Sequence, residues 1–151
     1  MAGRVASAAS GSGCRGATLG RLILDTTVIV AEERGRADLE QLIADDDDIA
    51  IAAITVAELL VGVELAGAGQ RPRRQAFVES ILTTIPVEDY DLEVARSHAV
   101  LLAHVRRSGR ARGAHDLVIA ATALARERTV VTADRSGFAG LPGLAMRQLP
   151  G

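Results

Sequence analysis

Leu22–Val30, LILDTTVIV, is the stretch that decides how this chain folds. Three aliphatic residues in a row, with no polar alternation, read as a short strand buried on both faces, the habit of a parallel sheet covered by helices. Asp25 follows at once, where the chain must leave the sheet and turn into its next element. A carboxylate at that junction either caps the following helix, worth roughly 1 kcal/mol, or serves chemistry at the sheet edge.

The same pattern recurs along the chain. Strand candidates stand at Ile49–Ala53, Thr84–Val87, Thr129–Thr132 and Ala145–Gln148, separated by helix candidates. This alternation predicts an α/β fold with a parallel sheet of four or five strands. Val56, Leu59, Leu60 and Val63 repeat at helical spacing, as do Leu117, Ala120, Ala121 and Leu124, so both sets are expected to face the core. Pro72 suits the first turn of a helix reaching about Leu82. A further helix is expected from about Asp91 to Arg107, with Val94, His98, Leu101 and Val105 inward.

Three more acids share the placement of Asp25. Glu58 lies in ITVAELLVGV, Asp116 in GAHDLVIAATALA and Asp134 in VVTADRSGF. Each has a purely structural reading. Thr55–Glu58 fits a capping box, Asp116 complements the positive end of the helix it opens, and Asp134 suits a turn after a strand. Jointly they point elsewhere, because open α/β sheets bind ligands outside the carboxyl ends of their strands. Two carboxylates about 4 Å apart repel by roughly 4 kcal/mol near a protein surface, so four gathered together call for a cation. Mg²⁺ or Mn²⁺ prefers oxygen ligands and keeps waters, which suits phosphodiester hydrolysis.

Composition narrows the class. The 151 residues suit one domain, and 48% hydrophobic with 24% charged residues is ordinary for a globular chain. The longest apolar stretch, Ile49–Gly67, carries Glu58 and Glu64, which argues against a membrane span. The lone Cys14 has no internal disulfide partner, and a reduced, cytoplasmic setting follows as the simplest expectation. A net charge of −2 leaves any nucleic-acid contact to local patches of arginine, the only strongly basic residue present. Residues 1–20, rich in Gly, Ala and Ser, are expected to be a flexible tail ahead of a domain at 21–151. The acidic run Asp45–Asp48 reads as a solvated loop.

Taken in order, the strand ending in D-T-T-V, the helix ITVAELLVGV, the segment HDLVIAATALA and the final VVTADRSGF resemble the motifs of PIN-domain ribonucleases, especially VapC-type toxins. The resemblance runs from about Leu22 to Leu149, with the leader of residues 1–20 as its one clear departure. It implies a three-layer α/β/α sandwich and a Mg²⁺- or Mn²⁺-dependent endoribonuclease that leaves a 5′-phosphate and a 3′-hydroxyl. It also implies a cognate antitoxin of the VapB type that folds onto the toxin, and a homodimer. Carried over by position, Asp25 and Asp116 match the principal metal ligands, and Glu58 and Asp134 complete the acidic cluster. Thr26, Thr27 and Thr132 match the small polar residues that support it.

Arg110 and Arg112, close ahead of Asp116, are candidates for clamping RNA phosphates. His98, His104 and His115 are assigned structural roles. The absence of lysine removes a receiver-domain phosphotransfer reading, and D-T-T lacks the D-x-D of haloacid-dehalogenase-like phosphatases. The rival from another class is a non-catalytic PIN-type module for RNA binding or protein interaction.

Overall fold

A computed structural model describes residues 20–42 and 44–149; of the expected tail, residues 1–19 lie outside the described residues. In chain order the elements are β1 (Arg21–Leu24), α1 (Thr26–Glu33), α2 (Leu39–Leu42), β2 (Asp48–Ala52), α3 (Ala53–Leu65) and α4 (Arg71–Thr84). There follow β3 (Val87–Glu88), α5 (Leu92–Ser108), α6 (Ala114–Arg126), β4 (Thr129–Thr132), a 3₁₀ turn at Arg135–Gly137, and β5 (Met146–Gln148).

All four strand pairings are parallel and the sheet order is β3-β2-β1-β4-β5. Period-two alternation along β1 divides the core: Leu22 and Leu24 join Val28, Leu59, Val63, Val78 and Ile81 on one face. Ile23 joins Val94, Leu101, Leu117 and Phe138 on the other. The sheet thus lies between α1, α3 and α4 on one side and α5 and α6 on the other, which is the expected three-layer sandwich. The chain builds outward from β1 through β2 to β3, then returns to place β4 on the opposite side of β1. The carboxyl ends of β1 and β4 therefore flank a topological switch point, where open α/β sheets form their ligand crevice.

Several local expectations give way to tertiary context. Thr84 belongs to α4, where its hydroxyl donates to the Ser80 carbonyl at 2.7 Å, and β3 begins only at Val87. Ile85, which precedes Pro86, adopts an extended conformation that ends the helix, so the strand starts later than its apolar content suggests. β2 similarly runs from Asp48 to Ala52, with Ala53 opening α3. Leu60, expected in the core, is 41% exposed, and Thr55 is buried instead. His98 does not enter the core; its Nδ1 meets the Tyr90 hydroxyl at 2.9 Å.

The acidic run is only half a solvated loop. Asp47 is buried, accepting from the Gly20 amide on one oxygen and the Ala44 amide on the other, each at 2.9 Å. Asp48 opens β2 and pairs with Arg21. Arg128, 9% exposed, donates to the main-chain carbonyls of Leu22 and Asp48 and to the Glu88 carboxylate, tying three segments together.

A buried arginine with this many acceptors leaves them stranded when it is removed. Arg128→Ala is expected to cost about 3–5 kcal/mol, the usual scale for breaking a buried ion pair from one side. Chemical denaturation midpoints will measure it, and a cost under about 1 kcal/mol would show that Arg128 does not tie the strands.

Candidate active site

Asp25 leaves the end of β1 at the switch point and is 2% exposed. It occupies the N-cap position of α1, with extended backbone angles of φ −70 and ψ 154, yet its side chain makes no cap hydrogen bond. The carboxylate turns instead toward β4. Its Oδ2 accepts from the Thr27 hydroxyl at 2.7 Å and from the buried Thr132 hydroxyl at 2.8 Å. Those hydroxyls in turn accept from the main-chain amides of Ala133 and Asp134, at 3.1 and 3.0 Å. Chains of this kind polarise one another and strengthen each bond. Oδ1 accepts no side-chain hydrogen bond among the described residues.

Asp116 stands in the first turn of α6. Its carboxylate is wedged against two glycines. A Cβ placed on Gly113 would come within 2.9 Å of Oδ2, and one on Gly137, in the 3₁₀ turn after Asp134, would come closer still. Glycine at both places is what admits the carboxylate. No hydrogen bond reaches it among the described residues.

Glu58 and Asp134 are differently placed. The capping box is not formed, because α3 starts at Ala53 and puts Thr55 inside the helix. Glu58 instead accepts from the Thr26 hydroxyl at 2.6 Å, and its other oxygen lies 2.9 Å from Nδ1 of His115. Asp134 caps the 3₁₀ turn, accepting from the Ser136 amide at 3.0 Å and the Ser136 hydroxyl at 2.7 Å.

Protonation follows these partners. Burial pushes the Asp25 carboxyl above its ordinary value, against the opposing pull of the Thr27 and Thr132 hydroxyls, and the Glu58 charge adds to the rise. Asp116 is raised too, first by burial and then by the charges of Asp25, Glu58 and Asp134. Its place at a helix N-terminus favours the anion by up to about 1 kcal/mol, and burial with three neighbouring charges outweighs that. Asp134 is held below the ordinary range by its bonds to Ser136.

All four acids line one cavity of about 720 Å³, together with Thr26 and Thr27. Thr132 stands behind Asp25. His115, given a structural role from sequence, lies beside Glu58; its adjacency to Asp116 was the only signal of this. Arg112 spends its guanidinium on the Ser136 and Ala139 carbonyls, strapping the loop before α6 to the turn after Asp134. Arg110 is exposed.

Among the described residues, no three His, Cys, Asp or Glu side chains converge as a preformed metal shell. The donor set suits a hard cation of another kind, one that takes one or two carboxylates and fills its remaining positions with water and substrate oxygens. Asp116 accepts no hydrogen bond, and Asp25 and Asp134 each keep one oxygen without a side-chain donor among the described residues.

A family model described as PIN domain matches residues 22–144. The chain is 42% identical over 126 residues to Ribonuclease VapC5 of Mycobacterium tuberculosis, covering 82% of this chain and 89% of that protein. Among solved structures, VapBC-5 of the same organism, from a family of toxin–antitoxin systems, aligns with a TM-score of 0.69 at 34% identity, covering 89% of this chain and 99% of the other. VapBC2 from Rickettsia felis, bound to a promoter DNA fragment, aligns with a TM-score of 0.79 at 25% identity, covering 86% and 99%.

Because Asp25 and Asp116 hold protons more tightly folded than at the ordinary value of 3.8, the native state binds more protons just above that value. Their contribution therefore lowers stability as pH rises through the raised values. Asp116→Asn removes one repelled charge. In EDTA at neutral pH it is expected to raise the melting temperature, at about 2–4 °C per kcal/mol relieved, and to shrink the loss between mildly acidic and neutral pH. A lower melting temperature would show that the ionised Asp116 carboxylate is stabilising.

Proposed function

This chain belongs to the PIN-domain family, and from the acids gathered at its switch point we propose a metal-dependent endoribonuclease, the toxin of a toxin–antitoxin pair, hydrolysing RNA phosphodiesters. The observation that carries the proposal is the shared cavity lined by all four acids, in which Asp25 is buried at the switch point and Asp116 accepts no hydrogen bond among the described residues. Relatives named as VapC ribonucleases support the substrate class.

In this reading Asp25 and Asp116 would hold Mg²⁺ or Mn²⁺. Bound there, such a cation would supply Lewis acidity to activate water and would offset charge developing on the scissile phosphate. The protein's own contribution is placement. Thr27 and Thr132 fix the Asp25 carboxylate so that one oxygen faces the cavity. Gly113 and Gly137 seat Asp116 in the same cavity, and Arg112 holds the two acid-bearing segments together. Glu58, steadied by Thr26 and His115, and Asp134 complete the negative wall. Water is the nucleophile, and the products carry a 5′-phosphate and a 3′-hydroxyl.

Solved relatives that are toxin–antitoxin complexes support an antitoxin of the VapB type as partner. The exposed Leu60, Val61 and Leu65 of α3 offer apolar surface for a partner chain, whether antitoxin or a second copy in a homodimer. No helix among the described residues is long and apolar enough to cross a membrane. The reading as an RNA-cutting toxin held by an antitoxin is what places the activity in the cytoplasm.

Structured RNA incubated with the purified chain is expected to be cut with Mn²⁺ and left intact in EDTA. Asp25→Asn and Asp116→Asn should each slow cutting at least about a hundredfold, equivalent to roughly 2.7 kcal/mol of transition-state stabilisation. Metal-independent RNA binding with no cleavage would instead identify a non-catalytic module.

A further inference from the structure

The cavity that holds the acids does not end with them. It continues along α1, past Val30, to Arg34 and Arg36, the only cations that line it among the described residues. Both lie at the C-terminal end of α1, in a turn with little freedom. The Arg36 amide donates to the Ala31 carbonyl and the Gly35 amide to the Glu32 carbonyl, at 2.8 and 3.0 Å, with Gly35 at φ +71. This is a Schellman arrangement, in which a left-handed glycine closes the helix and sets the flanking residues at fixed positions.

Neither guanidinium forms an ion pair among the described residues, although acids stand nearby in sequence. Glu32 accepts from the Leu39 amide and Asp38 from the Glu40 amide. Several other arginines, among them Arg73, Arg96, Arg106, Arg107, Arg110, Arg135 and Arg147, also form no ion pair among the described residues, but none of these lines the cavity. The rest of the described arginines are committed elsewhere. Arg21, Arg71, Arg126 and Arg128 are paired with carboxylates, and Arg112 is committed to main-chain carbonyls. Cations at a helix C-terminus also favour the helix dipole, worth about 0.3–1 kcal/mol, but that effect asks nothing of the cavity they line.

We propose that Arg34 and Arg36 form the contact site for RNA phosphates flanking the scissile one, so that the cleaved strand runs from the acids along α1. The proposal rests on the ribonuclease reading. A strand cut in its interior must extend away from the acids, and this cavity supplies a continuous path whose far end carries uncommitted forked donors suited to phosphate oxygens. Asp25, Glu58, Asp116 and Asp134 repel either polyanion while bare; a cation held among them would draw in a phosphodiester for cleavage, whereas an acidic peptide offers the proposed chemistry nothing to cut.

The test is binding of a fluorescently labelled, short single-stranded RNA in EDTA across a salt series, by anisotropy. Arg34→Gln/Arg36→Gln should bind roughly tenfold or more weakly than wild type. Its slope of log affinity against log salt should flatten by about 0.7 for each phosphate the variant leaves unneutralised. Arg110→Gln/Arg112→Gln, measured alongside, should change the slope less. If the Arg34/Arg36 double variant does not hold its fold by circular dichroism, Arg36→Gln alone should still flatten the slope by about 0.7. An unaltered slope in the folded variant overturns the clamp, as does a larger loss of affinity in the Arg110/Arg112 variant. Loss of binding to a polyglutamate peptide with RNA binding kept also overturns it, and assigns the arginines to an acidic protein partner. Cutting of the same RNA by wild type with Mn²⁺ separates the two levels: wild type that cuts, with an unchanged slope in the variant, refutes the clamp alone, whereas wild type that neither cuts nor binds refutes both.

Discussion

Burying the Asp25 carboxylate at the end of the central strand is possible only because two hydroxyls and, behind them, two main-chain amides are aimed at one of its oxygens. An isolated carboxylate in that position would be strongly disfavoured. The donors come from α1 and from β4, so satisfying this one charge joins the carboxyl ends of the two strands that flank the switch point. The crevice and its anionic lining both follow from that joint. Parallel pairing sets strand direction, the return of the chain across β1 opens the edge, and the threonines decide which way the acid faces.

The same rule sorts the other charged groups. Asp47, Arg128 and Glu58 lose exposure only where hydrogen-bond partners replace water. Asp116 breaks the pattern. Half-buried against Gly113 and Gly137, it accepts no hydrogen bond among the described residues and sits beside three like charges. A carboxylate so placed destabilises the fold, and strain of that sort concentrates where chemistry is done. Membership of the PIN-domain family and the resemblance to VapC ribonucleases agree with this independent physical sign.

The arginines show why a charge count says little by itself. Arg110 and Arg112 stand out in the sequence because they adjoin Asp116, yet the Arg112 guanidinium serves as a strap for the turn after Asp134. Arg34 and Arg36 carry no motif, and only their place along the cavity marks them. In both cases the function of a cation is set by what acceptors lie within reach.

The amino-acid sequence was sufficient for the parallel α/β architecture, the core faces of most helices and the four acids, because unbroken apolar runs and 3.6-residue spacing are properties of neighbours along the chain. It did not disclose that Glu58 leaves the capping box for Thr26 and His115, that Leu60 points outward, or that the strand after Ile85 starts late. Those outcomes depend on groups far away in the chain: 57 residues separate Glu58 from His115, and 107 separate Asp25 from Thr132. Which carboxylates are supplied with donors and which are left short was therefore decided only when folding brought the strand ends together.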